Sequence, residues 1–207
     1  MVKNIMAIGA HPDDIEVGCF GTLLYNLDKG DNLIVVITTK GGYFNRSLET
    51  IKSEYKCAEN ILDVKYIMLD NPIANYEFNW NTVNEIDEII DSNNIDTVYC
   101  NWYGDAHQDH QATFKNVFAS ARKNKIKNLY CYGLDEYCLH RSNLQFSSRL
   151  YVDITKYFDK KMKAIKCYSS YFNNESLDAI ESLMHYRGMF CGAKYAEAFE
   201  IIFETWR

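Results

Sequence analysis

Two short stretches hold residues able to do chemistry together. The first, Ala10-His-Pro-Asp-Asp-Ile-Glu16, carries one imidazole, His11, and two adjacent carboxylates, Asp13 and Asp14. The second, Asp105-Ala-His-Gln-Asp-His110, carries two imidazoles, His107 and His110, and the carboxylates Asp105 and Asp109. Pro12 fixes its own φ and pushes His11 towards an extended conformation, so the first turn is stiff. His11 and Asp14 can then point at one spot, which leaves Asp13 free for another task. His107 and His110, three apart at a helix start, share a side. His11, Asp14 and His110 would make a two-histidine, one-carboxylate set. Three protein ligands with an open fourth position is the pattern of a catalytic zinc site, whereas structural sites are closed and often cysteine-rich. There Asp13 could take the proton of a metal-activated water. His107 could hydrogen-bond the developing oxyanion and later protonate the leaving group. Asp105 and Asp109 are candidates for orienting the imidazoles from behind.

Each motif alone has a plainer reading. A histidine at a helix start is often a cap or a surface residue, and Asp109 could simply cap that helix. The case rests on position. Asn4–Gly9 reads as a buried strand running into the first motif, and Ile95–Trp102 as a strand running into the second. Ligands bind where the carboxyl ends of strands open onto a crevice in an α/β sheet. His140 and His185 lack acidic or histidine neighbours at useful spacing and read as structural.

The remaining elements follow from periodicity. Val17–Lys29 reads as a helix with Leu23, Leu24 and Leu27 at helical spacing and Gly30 as its C-cap. Asn32–Thr39 is a β-branched strand, Ser47–Leu62 a helix, Val64–Leu69 a strand and Thr82–Ile90 a short helix. Gln111–Arg122 continues as a helix and Asn128–Gly133 as a strand. Further on, the pattern gives a strand at Ser148–Ile154, helices at Tyr157–Tyr168 and Leu177–Met189, and a strand or extended tail at Ala198–Glu204. The alternation predicts an α/β fold: one Rossmann-like domain over residues 1–207, with a mostly parallel sheet and helices on both faces.

Composition bounds the rest. The 207 residues are 47% hydrophobic and carry a net charge of −6 without a basic block, which argues against nucleic acid or an anionic membrane as partner. No apolar run approaches the roughly 20 residues of a membrane span, and no signal peptide is visible. Seven cysteines without a C-x-x-C pair read as buried free thiols in a reducing cytoplasm. A nucleotide-binding Rossmann domain is excluded at Gly9-Ala-His-Pro-Asp-Asp14, where phosphate-cradling glycines are missing and carboxylates would repel a pyrophosphate.

Ala10-His-Pro-Asp-Asp-Ile-Glu-Val-Gly-Cys-Phe-Gly-Thr-Leu23, with Asp105-Ala-His-Gln-Asp-His110 and Tyr195-Ala-Glu-Ala-Phe199, resembles the PIG-L (LmbE-like) family of zinc-dependent N-deacetylases. The resemblance implies a Rossmann-like fold and hydrolysis of the N-acetyl group of an N-acetylglucosamine-type sugar, glycoside or small conjugate. It implies His11, Asp14 and His110 as metal ligands, Asp13 as general base and His107 as the assisting imidazole. Zinc is the implied metal, with iron(II) as the alternative. Arg46 is a sugar-contacting candidate in the family's manner, balanced against a solvated helix start. Cys167-Tyr-Ser-Ser170 stands where the family usually has His-x-Ser-Gln, and Tyr43 and Phe44 are inserted in the 40–46 loop. The alternatives are an amidase acting on a thiol–sugar conjugate and a non-catalytic relative that binds metal or sugar. The oligomeric state stays open, a homo-oligomer included.

Overall fold

The computed structural model of the chain describes residues 2–40, 46–123, 125–134 and 144–205. His140, Cys138 and most of the 40–46 and 134–148 loops lie outside the described residues.

Seven strands form one sheet in the order β3-β2-β1-β4-β5-β7-β6. They are β1 (Asn4–Gly9), β2 (Asn32–Thr39), β3 (Tyr66–Asn71), β4 (Thr97–Asn101), β5 (Asn128–Tyr132), β6 (Leu150–Asp153) and β7 (Ala196–Glu204). β1 pairs in parallel with both β2 and β4, and β3 and β5 extend the parallel pattern outward. The chain thus winds from β1 to β3 in one direction and from β4 to β5 in the other. The reversal falls between β1 and β4, and crevices open at such switch points. Ala196–Glu204 is a full strand, inserted antiparallel between β5 and β6.

Alternate residues of β1 feed two cores, as the two-residue period of a strand requires. Ile5 and Ala7 join Leu23, Ala58 and Ala164 under α2 (Phe20–Asp28), α3 (Leu48–Leu62) and α6 (Phe158–Lys166). Met6 and Ile8 join Ile86, Ile90 and Val117 under α4 (Trp80–Ser92) and α5 (Gln108–Ser120). A smaller cluster around Ile165, Ile180 and Met184 seats α7 (Asn174–Met189). Helices therefore cover both faces. None of those described is long and apolar enough to cross a membrane.

Two expectations need correction. The helix expected over Val17–Lys29 is two helices, α1 (Asp14–Gly18) and α2, broken at Cys19 with φ −146°. Glu197 of β7 accepts from the backbone N–H of Gly21 and Thr22, so a distant carboxylate satisfies the free donors of the new helix start. The cysteines are not all free: Cys57 of α3 is bonded to Cys167, just after α6, with their Cα atoms 5.8 Å apart. Cys19, Cys100 and Cys131 are buried free thiols as expected, whereas Cys191 is free and exposed.

Candidate active site

Asp14, the first residue of α1, is held by one oxygen and presents the other. Its Oδ2 accepts from Ala10 N at 2.7 Å, His11 N at 3.0 Å and Asn101 Nδ2 at 3.0 Å. Its Oδ1 lies 3.4 Å from His110 Nε2 and 3.8 Å from His11 Nδ1, and those two nitrogens are 3.1 Å apart. Gly9 makes this possible, since a Cβ there would come within 2.8 Å of the Asp14 Cβ. Burial opposes the Asp14 charge, but His110 and His11 outweigh it and hold the carboxyl well below its usual range.

Behind each imidazole stands a carboxylate. His11 Nε2 is 3.1 Å from Asp109 Oδ2, and Asp109 also accepts from Ala74 N at 2.6 Å and Tyr76 N at 3.3 Å. Asp109 thus joins the loop after β3 to the turn after β1, and it does not cap its own helix. His110 Nδ1 is 3.0 Å from Asp105 Oδ2, a close ionic contact without the alignment of a good hydrogen bond. Burial pulls both imidazoles down. For His11 the bonds to Asp109 and Asp14 outweigh it and raise the pKa to about 9. For His110 the charge of Asp14 and the contact with Asp105 raise it to about 10.

The donor set fits a divalent metal. Metal–ligand bonds of about 2.0–2.1 Å in a tetrahedron put neighbouring donors about 3.3 Å apart, close to the separations among Asp14 Oδ1, His11 Nδ1 and His110 Nε2. His11, His107 and His110 also form a cluster able to hold a metal, each offering a nitrogen within 4.8 Å of the others. Imidazole and carboxylate together suit zinc or iron(II) better than magnesium or calcium.

His107 sits at the N-cap of α5. Its Nδ1 accepts from Asp109 N at 3.1 Å, so the neutral ring carries its proton on Nε2 and can donate it. Its ring lies on that of His110 at 4.8 Å and edge-on to His11 at 4.6 Å. Burial, then the charges of His110 and His11, lower its pKa.

Asp13 differs from every other carboxylate of the site. It has φ 115°, a left-handed conformation rare outside glycine, and its side chain makes no capping bond. Burial, then the charge of Asp14, pushes its carboxyl well above the usual range. Strain at a half-buried carboxylate without a capping bond, beside groups that could hold a metal, points to chemistry rather than architecture.

Arg46 is less free than the sequence implies. Its Nη2 is paired with Glu54 Oε2, and its guanidinium lies 5.6 Å from the centre of the Tyr171 ring. Sequence reasoning missed Asn101, the last residue of β4. Asn101 donates to Asp14 and accepts from Ala10 N at 3.0 Å, so it ties the end of β4 to the first motif. The signal was a polar residue ending an apolar strand. His185 is beside Tyr195, with ring centres 6.1 Å apart, away from this cluster.

Known proteins resemble the chain in sequence and in fold. The model of the PIG-L family, described as GlcNAc-PI de-N-acetylase, matches residues 6–121. The uncharacterized deacetylase YaiS of Escherichia coli K12 is 29% identical over 131 residues, covering 58% of this chain and 69% of that protein. The diacetylchitobiose deacetylase of Thermococcus kodakarensis is 24% identical over 224 residues, covering 97% of this chain and 84% of its own. The solved structure of GalB, the 4-carboxy-2-hydroxymuconate hydratase of Pseudomonas putida KT2440, aligns with TM-score 0.84 at 15% identity, covering 100% of this chain and 98% of that one. At that identity the likeness concerns the fold alone, and the reaction must be read from the residues. The family match spans both motifs and more than half of the sequence, and the chain belongs to the PIG-L family.

Proposed function

We propose that the chain is a zinc-dependent N-deacetylase that hydrolyses the acetamide of an N-acetylated amino sugar. One observation carries the reading: Asp14 Oδ1, His11 Nδ1 and His110 Nε2 converge within 3.8 Å beside Asp13, a carboxylate with no capping bond. Deacetylase relatives, one of them named for diacetylchitobiose, support the substrate class.

His11, Asp14 and His110 would hold the ion. It would supply a Lewis acid for the acetyl oxygen and lower the pKa of water towards 7. Asp13 accepts a proton from the attacking water, a role for which its raised pKa suits it. His107 donates from Nε2 to the acetyl oxygen as negative charge develops there. The water oxygen bonds to the carbonyl carbon, the C–N bond breaks, and the proton that Asp13 took from the water passes to the amine nitrogen. Acetate and the free amino sugar leave. Asp109 and Asp105 orient the imidazoles throughout. We place the protein in the cytoplasm on its buried free thiols, against which the Cys57–Cys167 bond counts.

The test is acetate release by the zinc-loaded protein from N-acetylglucosamine, N,N'-diacetylchitobiose, N-acetylated nucleotide sugars and glycosides. Hydration of 4-carboxy-2-hydroxymuconate, read by the loss of its conjugated absorbance, is measured alongside because a hydratase shares the fold. Release from one acetylated sugar is the expected result. Its absence throughout, with metal confirmed in the protein, would overturn the reading.

A further inference from the structure

Arg46 is held in a clamp built of four groups. Its Nη2 is bonded to Glu54 Oε2, and the two side chains are only 15% and 7% exposed. The other oxygen of Glu54 accepts from Ser170 N at 2.8 Å. Tyr171, next in sequence, lies under the guanidinium. One turn along α3 from Glu54, Cys57 is bonded to Cys167, three residues before Ser170. A hydrogen bond and a covalent bond therefore join the same helix to the same turn. β2, the strand before Arg46, ends at Thr39, whose N and Oγ1 donate to Ala10 O in the first motif, and the buried Arg46 Nε has no partner among the described residues. An unmatched buried donor is costly, and it is suited to an acceptor oxygen that arrives with a ligand.

We propose that Glu54 is a positioning residue that holds Arg46 at the Asp13 side of the site, and that the Cys57–Cys167 disulfide is a redox-sensitive staple of the same wall. The kinetic part rests on the deacetylase reading; the structural part does not. Cys57 is exposed and Cys167 half-buried, so a small thiol can reach the bond. A dithiol reduces it in two exchanges. One thiolate attacks a cysteine sulfur, forming a mixed disulfide and releasing the other cysteine. The second thiol then closes a cyclic disulfide and frees the first cysteine. Two electrons and two protons pass from the dithiol to the cysteines. After reduction only Glu54 and its neighbours hold the turn against α3, and Arg46 is held less firmly.

Two measurements decide this. The first is hydrogen–deuterium exchange over residues 167–172, which needs no activity. Exchange at the Ser170 amide should speed up at least about tenfold in Glu54→Ala, which removes its acceptor. It should also rise, reversibly, on treatment with a dithiol, and in Cys57→Ser without treatment. Exchange unchanged by both the dithiol and Glu54→Ala would overturn the clamp, whatever the substrate proves to be. The second is a double-mutant cycle read in kcat and KM for N,N'-diacetylchitobiose. Glu54→Gln keeps an acceptor for Ser170 but loses the charge. It should raise KM about tenfold with kcat changed less, and cost nothing further once Arg46→Ala is present. An equal loss in both backgrounds would show that Glu54 does not act through Arg46. No acetate release by the wild type from any acetylated sugar would count against the deacetylase reading, and the exchange data would still judge the clamp.

Discussion

The two adjacent aspartates separate by what their oxygens touch. Asp14 spends one oxygen on three donors and turns the other to two imidazoles. Asp14→Ala should therefore lose both bound metal and activity. Asp13 has no capping bond and a strained backbone. Asp13→Asn is nearly isosteric and should keep its metal, while kcat falls on the order of 10²–10⁴, the usual cost of losing a general base. Metal content and acetate release, measured side by side, check both; normal turnover by Asp13→Asn would make that residue structural. Asp109 tests the next layer out. Asp109→Asn should weaken metal binding about 10- to 100-fold, because the imidazole of His11 loses the carboxylate behind it. A competition titration against a coloured chelator would show it. These residues were legible because their types are rare and their spacing is chemical. Asn101 was not, since an asparagine at a strand end has many commoner uses.

At the scale of elements, strands β1 and β2 keep the bounds read from the sequence, because a largely buried strand shows as a near-continuous apolar run. Helix α1 was invisible as a separate unit. Its boundary depends on Glu197, about 175 residues away in sequence from the donors it caps. The same carboxylate accepts from Lys161 Nζ at 2.6 Å, and Lys161 also donates to Val17 O at 2.6 Å. Both side chains are essentially inaccessible, at 0% and 1% exposed. Taking away one partner of such a pair leaves an uncompensated buried charge and typically costs about 3–5 kcal/mol. Lys161→Met should lose stability of that order in denaturant unfolding. Adding Glu197→Gln should recover part of the loss, since the stranded charge goes while an amide-oxygen acceptor remains. If Lys161→Met unfolds like the wild type, the ion pair is not what joins α1, α2, α6 and β7.

For the molecule as a whole, the alternation of strands and helices gave the fold class, and the two motifs gave the edge of the sheet where chemistry would lie. The insertion of β7 between β5 and β6 was beyond reach, because strand order depends on long-range pairing that local pattern does not encode. A metal held at the site, which is built on turns after β1 and β4, would couple to global stability, and the coupling would have a sign. With no cation bound, His11 and His110 have pKa values raised to about 9 and about 10, above the ordinary 6.5 of an unfolded imidazole. A raised folded-state pKa contributes stability that is complete below the unfolded value and is lost as pH climbs through the folded one. In chelator, the melting temperature should therefore fall between about pH 6.5 and 10. With saturating zinc the histidines must bind as neutral ligands, so protons compete with the metal and stabilisation by zinc grows with pH. The gap between zinc-loaded and metal-free melting temperatures should widen across that window in the wild type. In Asp14→Ala the ligand is missing and the gap should collapse at every pH. A gap that stays constant with pH in the wild type would mean that the two imidazoles are not where the metal binds.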